Sequence, residues 1–119
     1  MKKKAIGSFG EKIAADYLQS RGYKILEFNF SSKFGEIDLI AEEDNSLVFI
    51  EVKTRQNLNY GLPETAVNEK KLNNIKMAAM IYKETHPKLS ESYRIDVVSI
   101  ILRNGRKTAK IKLYKNIVQ

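Results

Sequence analysis

Leu47 to Lys53 (LVFIEVK) reads as the most apolar strand of the chain, and two charges interrupt it. With the period of two that a strand imposes, Val48, Ile50 and Val52 share one face. Leu47, Phe49, Glu51 and Lys53 share the other. Charged side chains are disfavoured in such company unless they are paired or bind a metal. The preceding segment, Gly35 to Glu42 (GEIDLIAE), also alternates, with Ile37, Leu39 and Ala41 facing one way. Glu36, Asp38 and Ile40 face the other way, and Glu43-Asp44-Asn45-Ser46 between the strands is turn chemistry. A hairpin turning at Asp44-Asn45 places Asp38 opposite Glu51 and Glu36 opposite Lys53. An odd-length loop would instead send Asp38 and Glu51 to opposite faces. Facing Cβ atoms on adjacent strands lie about 4.5–5.5 Å apart, so two carboxylates there repel unless a cation sits between them. A divalent metal together with Lys53 meets that need, and Mg²⁺ suits an all-oxygen set that leaves it several waters. A plainer account has Lys53 making ordinary salt bridges with Glu36 and Glu51 on a half-exposed face. That account explains poorly why these charges meet at one level of so apolar a strand.

The rest of the chain supplies a frame for this hairpin. Ser8-Phe9-Gly10-Glu11 has capping-box spacing, and Ile13, Ala14, Tyr17 and Leu18 recur at helical intervals before Gly22. These predict a first helix from Phe9 to Arg21. Tyr23 to Phe30 reads as a strand. Gly61, Leu62 and Pro63 mark a break. Leu72, Ile75, Ala79 and Tyr82 then define a second helix that ends before Pro87, with Lys70, Lys71, Lys76 and Lys83 facing outward. Arg94 to Leu102 reads as a buried strand, Asn104-Gly105 as a hairpin turn, and Ala109 to Tyr114 as the returning strand. The order is αβββαββ in one α/β domain over residues 1–119.

Composition removes most alternatives. With 119 residues the chain is of one-domain length. The absence of cysteine excludes disulfides, Cys-ligated zinc, iron–sulfur clusters and thiol nucleophiles. His86 is the one histidine, too few for a His-based zinc site. No run approaches a membrane span, and no apolar region follows Met1-Lys2-Lys3-Lys4 as a signal peptide requires, so a cytoplasmic location is expected. Lys and Arg number 21 against 14 Asp and Glu, a net charge of +7 that points to a polyanionic partner. No helix sets a broad apolar face against a lysine stripe, which argues against a membrane surface.

An Asp on one strand followed by Glu-x-Lys on the next, within this element order, resembles the PD-(D/E)XK nuclease superfamily. More closely, the chain resembles the YraN-type family of small bacterial proteins, which are similar to archaeal Holliday-junction resolvases. GSFGE (Gly7 to Glu11), GEIDLIA (Gly35 to Ala41) and FIEVKTR (Phe49 to Arg55) carry the resemblance, with support from Gly61, Pro63, Ala78-Ala79 and RIDVV (Arg94 to Val98). It implies a restriction-endonuclease-like domain, a central mixed sheet flanked by helices. It also implies Asp38 and Glu51 as Mg²⁺ or Mn²⁺ ligands, with the Val52 carbonyl and Glu11 completing the shell. Lys53 would polarise the attacking water or stabilise charge on the phosphate. Ile37 stands where the superfamily has its proline. By analogy with resolvases, a symmetric homodimer is implied.

The expected activity is metal-dependent hydrolysis of DNA, in branched or structured forms. The alternative is a nucleic-acid-binding module of the same fold with little or no turnover. Arg55, Arg94, Lys70, Lys71 and Lys76 are the candidate phosphate contacts. His86 reads as a helix-end residue, and Tyr17, Tyr82 and Tyr114 as packing residues. Ala78 and Ala79 read as a site of close helix–sheet approach.

Overall fold

Local chemistry fixes most of the element boundaries. The structure, a computed structural model, describes residues 3–56, 67–103 and 108–117. Its elements are helix α1 (Lys3–Ser20), strands β1 (Lys24–Ser32), β2 (Gly35–Glu43) and β3 (Ser46–Arg55), helix α2 (Glu69–Thr85), and strands β4 (Tyr93–Arg103) and β5 (Thr108–Tyr114). The expected breaks at Gly61–Pro63 and Asn104-Gly105 lie outside the described residues.

Gly22 ends α1 at a φ of 92°, and Tyr23 N–H donates to the Leu18 carbonyl while Gly22 N–H donates to that of Gln19. This pair of bonds is a Schellman motif, closed by packing of Tyr23 and Leu18 in one core cluster. The start of α1 differs from expectation. The helix begins at Lys3, so Ser8 lies inside it and caps nothing. Lysine and alanine at the start are good helix formers, and a Ser-x-x-Glu spacing has no capping role once the preceding turn is helical. Helix α2 is capped as its sequence allows. The Asn68 side chain accepts from Lys71 N–H at 2.8 Å.

The strands form one five-stranded sheet in the order β1-β2-β3-β4-β5. All neighbours are antiparallel except β3 and β4, which run parallel and are joined by the α2 crossover. Asp44 and Asn45 both take positive φ, 51° and 61°. The type I′ turn of a two-residue hairpin demands this of its central residues. The β2–β3 ladder runs in the expected register from Glu43 opposite Ser46 to Leu39 opposite Ile50.

Two cores flank the sheet. Under α1, Ala14, Ala15 and Leu18 pack on Leu39, Ala41, Val48, Ile50, Val98, Ile100 and Leu102. Under α2, Ile75, Ala78, Ala79 and Tyr82 pack on Ile37, Ile40, Leu47, Phe49 and Ile95. The two faces of β3 divide as its sequence pattern requires. Strand β2 does not follow its pattern throughout: Ile37 joins Ile40 under α2, whereas Leu39 and Ala41 lie under α1. Ile37 pairs with Phe30, which also packs under α2. Phe28, paired with Leu39, lines a groove against α1. Asn29 between the two phenylalanines has a φ of 52°. That left-handed step turns the strand over. The reversal falls at the level of Asp38.

Candidate active site

Beyond the Leu39–Ile50 pair the β2–β3 ladder stops, so Asp38 and Glu51 do not form the ladder pair expected of them. Asp38 instead takes over the hydrogen bonding with its side chain: Val52 N–H donates to Asp38 Oδ2 at 2.8 Å. A residue in extended conformation directs its N–H and C=O to the same side, so the Val52 carbonyl also faces the β2 side. Glu51 is 2% exposed and reaches toward α2. Its Oε2 is met by Lys53 Nζ at 3.2 Å and by Lys71 Nζ, from the first turn of α2, at 3.4 Å. Lys53 therefore pairs with Glu51, as the salt-bridge account expects; no bridge to Glu36 is formed among the described residues.

Negative charge accumulates around this group. Burial, then the charge of Glu51 and a hydrogen bond with its carboxylate, push the Asp38 carboxyl up to about 8, with the Val52 N–H opposing and Glu11 adding to the effect. Burial also pushes Glu11 up, reinforced by Glu36 and Glu51 and opposed by a hydrogen bond with Asn29. Glu11 thus lies within electrostatic reach of the site although it sits mid-helix. The approach of α1 is set by Gly10: a Cβ there would overlap Thr54 Oγ1 and stand 2.9 Å from Thr54 Cβ.

Three buried side-chain atoms have no hydrogen-bond partner among the described residues: Glu51 Oε1, Thr54 Oγ1 and Arg55 Nε. All three fall within five residues of one strand end. A buried polar atom left unpaired costs about 1–3 kcal/mol; Thr54 lies on the α1 face against Gly10, whereas Glu51 and Arg55 share the α2 face of β3. No group of three or more His, Asp or Glu side chains among the described residues stands close enough to hold a metal as placed. The two facing carboxylates of Asp38 and Glu51 are hard-oxygen donors of the class that divalent cations take.

Of the expected phosphate contacts, Lys71 is brought to the site and Arg55 lies two residues beyond Lys53 on the same strand face. Lys70 is exposed on α2, Lys76 is half-buried, and neither contacts the Asp38–Glu51–Lys53 group. Arg94 is not brought there. It pairs in register with Val48, at the opposite end of the sheet. It makes an ion pair with Glu43, binds Asp96 from Nε at 3.1 Å, and donates to Tyr23 Oη at 3.0 Å. Tyr23 Oη in turn donates to Asp96 Oδ2 at 2.8 Å, and Lys115 Nζ reaches Glu43 at 3.1 Å. Burial would push Glu43 up, but the hydrogen bonds of Arg94 and Lys115 hold it below the usual carboxylate range. Sequence reading missed this network because its members come from four separate segments; the fully buried Asp96 within an apolar strand was the available signal. His86 caps α2 and stacks on Tyr82 with ring centroids 3.9 Å apart, a structural position.

The model of the uncharacterised protein family UPF0102 matches residues 10–100, which include Glu11, Asp38, Glu51 and Lys53. A UPF0102 protein of Clostridium botulinum (strain 657 / Type Ba4) is 50% identical over 119 residues, covering 98% of this chain and 95% of the relative. One from Syntrophomonas wolfei is 46% identical over 101 residues, covering 85% of this chain and 88% of the relative. One from Caldicellulosiruptor bescii is 45% identical over 119 residues, covering 98% of both chains.

Proposed function

The chain belongs to the uncharacterised protein family UPF0102, and from its site we propose that it is a metal-dependent phosphodiesterase that hydrolyses DNA. The observation that carries this reading is the juxtaposition of Asp38 and Glu51 at the open end of the β2–β3 ladder, beside Lys53. Asp38, Glu51 and the Val52 carbonyl would hold Mg²⁺ or Mn²⁺, with Glu11 adding charge from α1. When bound, the metal supplies Lewis acidity and neutralises charge developing on the phosphate. The chain's own groups supply the rest. Lys53, fixed by its ion pair to Glu51, offers an ammonium donor to the attacking water or to a phosphate oxygen. Arg55, two residues on along the same strand face, offers its guanidinium for an adjacent phosphate. Asp38 holds Val52 N–H and so keeps β3 at a fixed height in the site.

A second reading is a nucleic-acid-binding module of little turnover. It draws support from Lys53 and Lys71, which already neutralise Glu51 Oε2 from two sides. One experiment separates the two: incubation of single-stranded, duplex and four-way-junction DNA with protein in Mg²⁺ or Mn²⁺, beside the Glu51→Ala protein. Metal-dependent nicking that the substitution abolishes supports the enzyme. Binding without cleavage in either metal supports the module.

A further inference from the structure

Strand β5 faces two ways. Ile111 and Leu113 pack into the core under α1, which leaves Lys110 and Lys112 on the opposite face of the sheet. Register carries that face across three strands. Lys53 pairs with Ser99 and Ser99 with Lys112. One step on, Arg55 pairs with Ile101 and Ile101 with Lys110. Arg103 follows on the same face of β4. From Lys53 outward, every charged residue that β3, β4 and β5 place on this face is a cation: Lys53, Arg55, Arg103, Lys110 and Lys112. The core cluster under α2 takes only Ile95 from β4 and nothing from β5. Val97, Ser99 and Ile101 between the cations are buried, while Arg103, Lys110 and Lys112 are exposed along the outer part of this face.

These charges are also largely uncompensated. Lys53 is engaged by Glu51, but Arg55, Arg103, Lys110 and Lys112 have no carboxylate partner among the described residues. Lys112 is held over the Tyr114 ring at 5.0 Å. That contact orients the ammonium and leaves its charge in place. Arg55 Nε is buried and has no hydrogen-bond partner among the described residues.

We propose that the DNA backbone reaches the site across the β3–β4–β5 face, gripped by Arg55, Arg103, Lys110 and Lys112, and not along α2. The inference rests on the DNA-directed reading above and assigns the path by which the phosphates approach Lys53. Adjacent strands lie about 4.8 Å apart, so Lys53 and Lys112 span ~10 Å across the sheet. That spacing lets cations on the two outer strands touch successive parts of one polyanion. Lysines that neutralise phosphates release counterions, so each duplex phosphate contact removed flattens the log–log salt slope by ~0.9.

The test is fluorescence anisotropy of a labelled duplex and a four-way junction, from low to physiological salt, in metal-free buffer. The Lys110→Glu/Lys112→Glu protein is compared with wild type and with Lys24→Glu/Lys88→Glu, which makes the same charge change at the far end of the sheet. A milder Lys110→Gln/Lys112→Gln protein, checked by its melting curve, guards against misfolding of the edge strand. The β5 variants are expected to weaken binding at least ~10-fold and to flatten the salt slope by close to two contacts, while the far-end control stays near wild type. Equal losses in the β5 and far-end variants would assign the effect to net charge and overturn the proposed path. So would wild-type affinity in the β5 variants, with the DNA reading left standing. Absence of binding by wild type at low salt would overturn both. Capture by anionic phospholipid vesicles with no DNA binding would mark the face as a membrane contact and also overturn the proposal.

Discussion

At the scale of single residues, Asp38 carries the clearest prediction. A carboxyl of ordinary surroundings titrates near 3.8, and burial beside Glu51 moves Asp38 to about 8. Between those values the folded protein holds a proton that the unfolded chain has lost. Its contribution to stability is therefore complete below about pH 4 and disappears as pH rises through about 8. Melting temperatures of the metal-free protein are expected to fall from about pH 5 to about pH 9, and Asp38→Asn to flatten that decline. A decline of the same slope in both proteins would show that Asp38 does not carry it. Gly10 supports a second residue-level prediction. Gly10→Ala forces a Cβ into Thr54 and is expected to destabilise by about 1–3 kcal/mol in urea unfolding. Adding Thr54→Ala should recover part of the loss, because the closest overlap is with Oγ1.

At the scale of elements, the two ends of β3 and β4 do different work. One end carries Glu51, Lys53 and Arg55 with buried polar atoms unpaired. The other carries Arg94, Asp96, Glu43 and Tyr23 in a network whose members are paired with one another. The second network locks the start of β4 to the β2–β3 turn and to the C-terminal segment, where Asn116 N–H donates to Asp96 Oδ1 at 2.9 Å. Removing Arg94 leaves the fully buried Asp96 carboxylate with its Tyr23 and Asn116 donors but without its counter-charge. Arg94→Ala is expected to destabilise by about 3–5 kcal/mol, while DNA affinity and its salt slope in the remaining folded protein stay unchanged. An equal loss of affinity with little loss of stability would return Arg94 to the binding surface.

At the scale of the whole molecule, α1 packs on one face of the sheet and α2 on part of the other, and Arg103, Lys110 and Lys112 stand exposed on the α2 side of β4 and β5. Among the described residues, no helix is long and apolar enough to cross a membrane. If the carboxylates hold a metal, binding stabilises the folded state by mass action, about 2.7 kcal/mol at a hundredfold excess over Kd. Millimolar Mn²⁺ is expected to raise the melting temperature by several degrees, and Asp38→Asn to abolish the rise. An unshifted wild-type curve would count against metal binding at this site.

The sequence by itself determined the features that short-range physics controls. Alternation in Leu47 to Lys53 set which side chains of β3 face each core, and Asp44-Asn45 set the turn and with it the β2–β3 register. Gly22 set the end of α1, and Asn68 was available as the cap of α2. Turn chemistry and strand period act over a few residues, so they are legible without the fold. The tertiary structure decided what depends on neighbours distant in the chain. It brought Lys71 onto Glu51 and took Arg94 to the other end of the sheet. It turned β2 over at Asp38 so that Ile37 joined the α2 core, because a left-handed Asn29 on the partner strand reverses the pairing face. It set Lys112 across from Lys53 through Ser99. Those arrangements follow from packing between whole elements, and the energy that selects them comes from burying faces against one another, which no local pattern encodes.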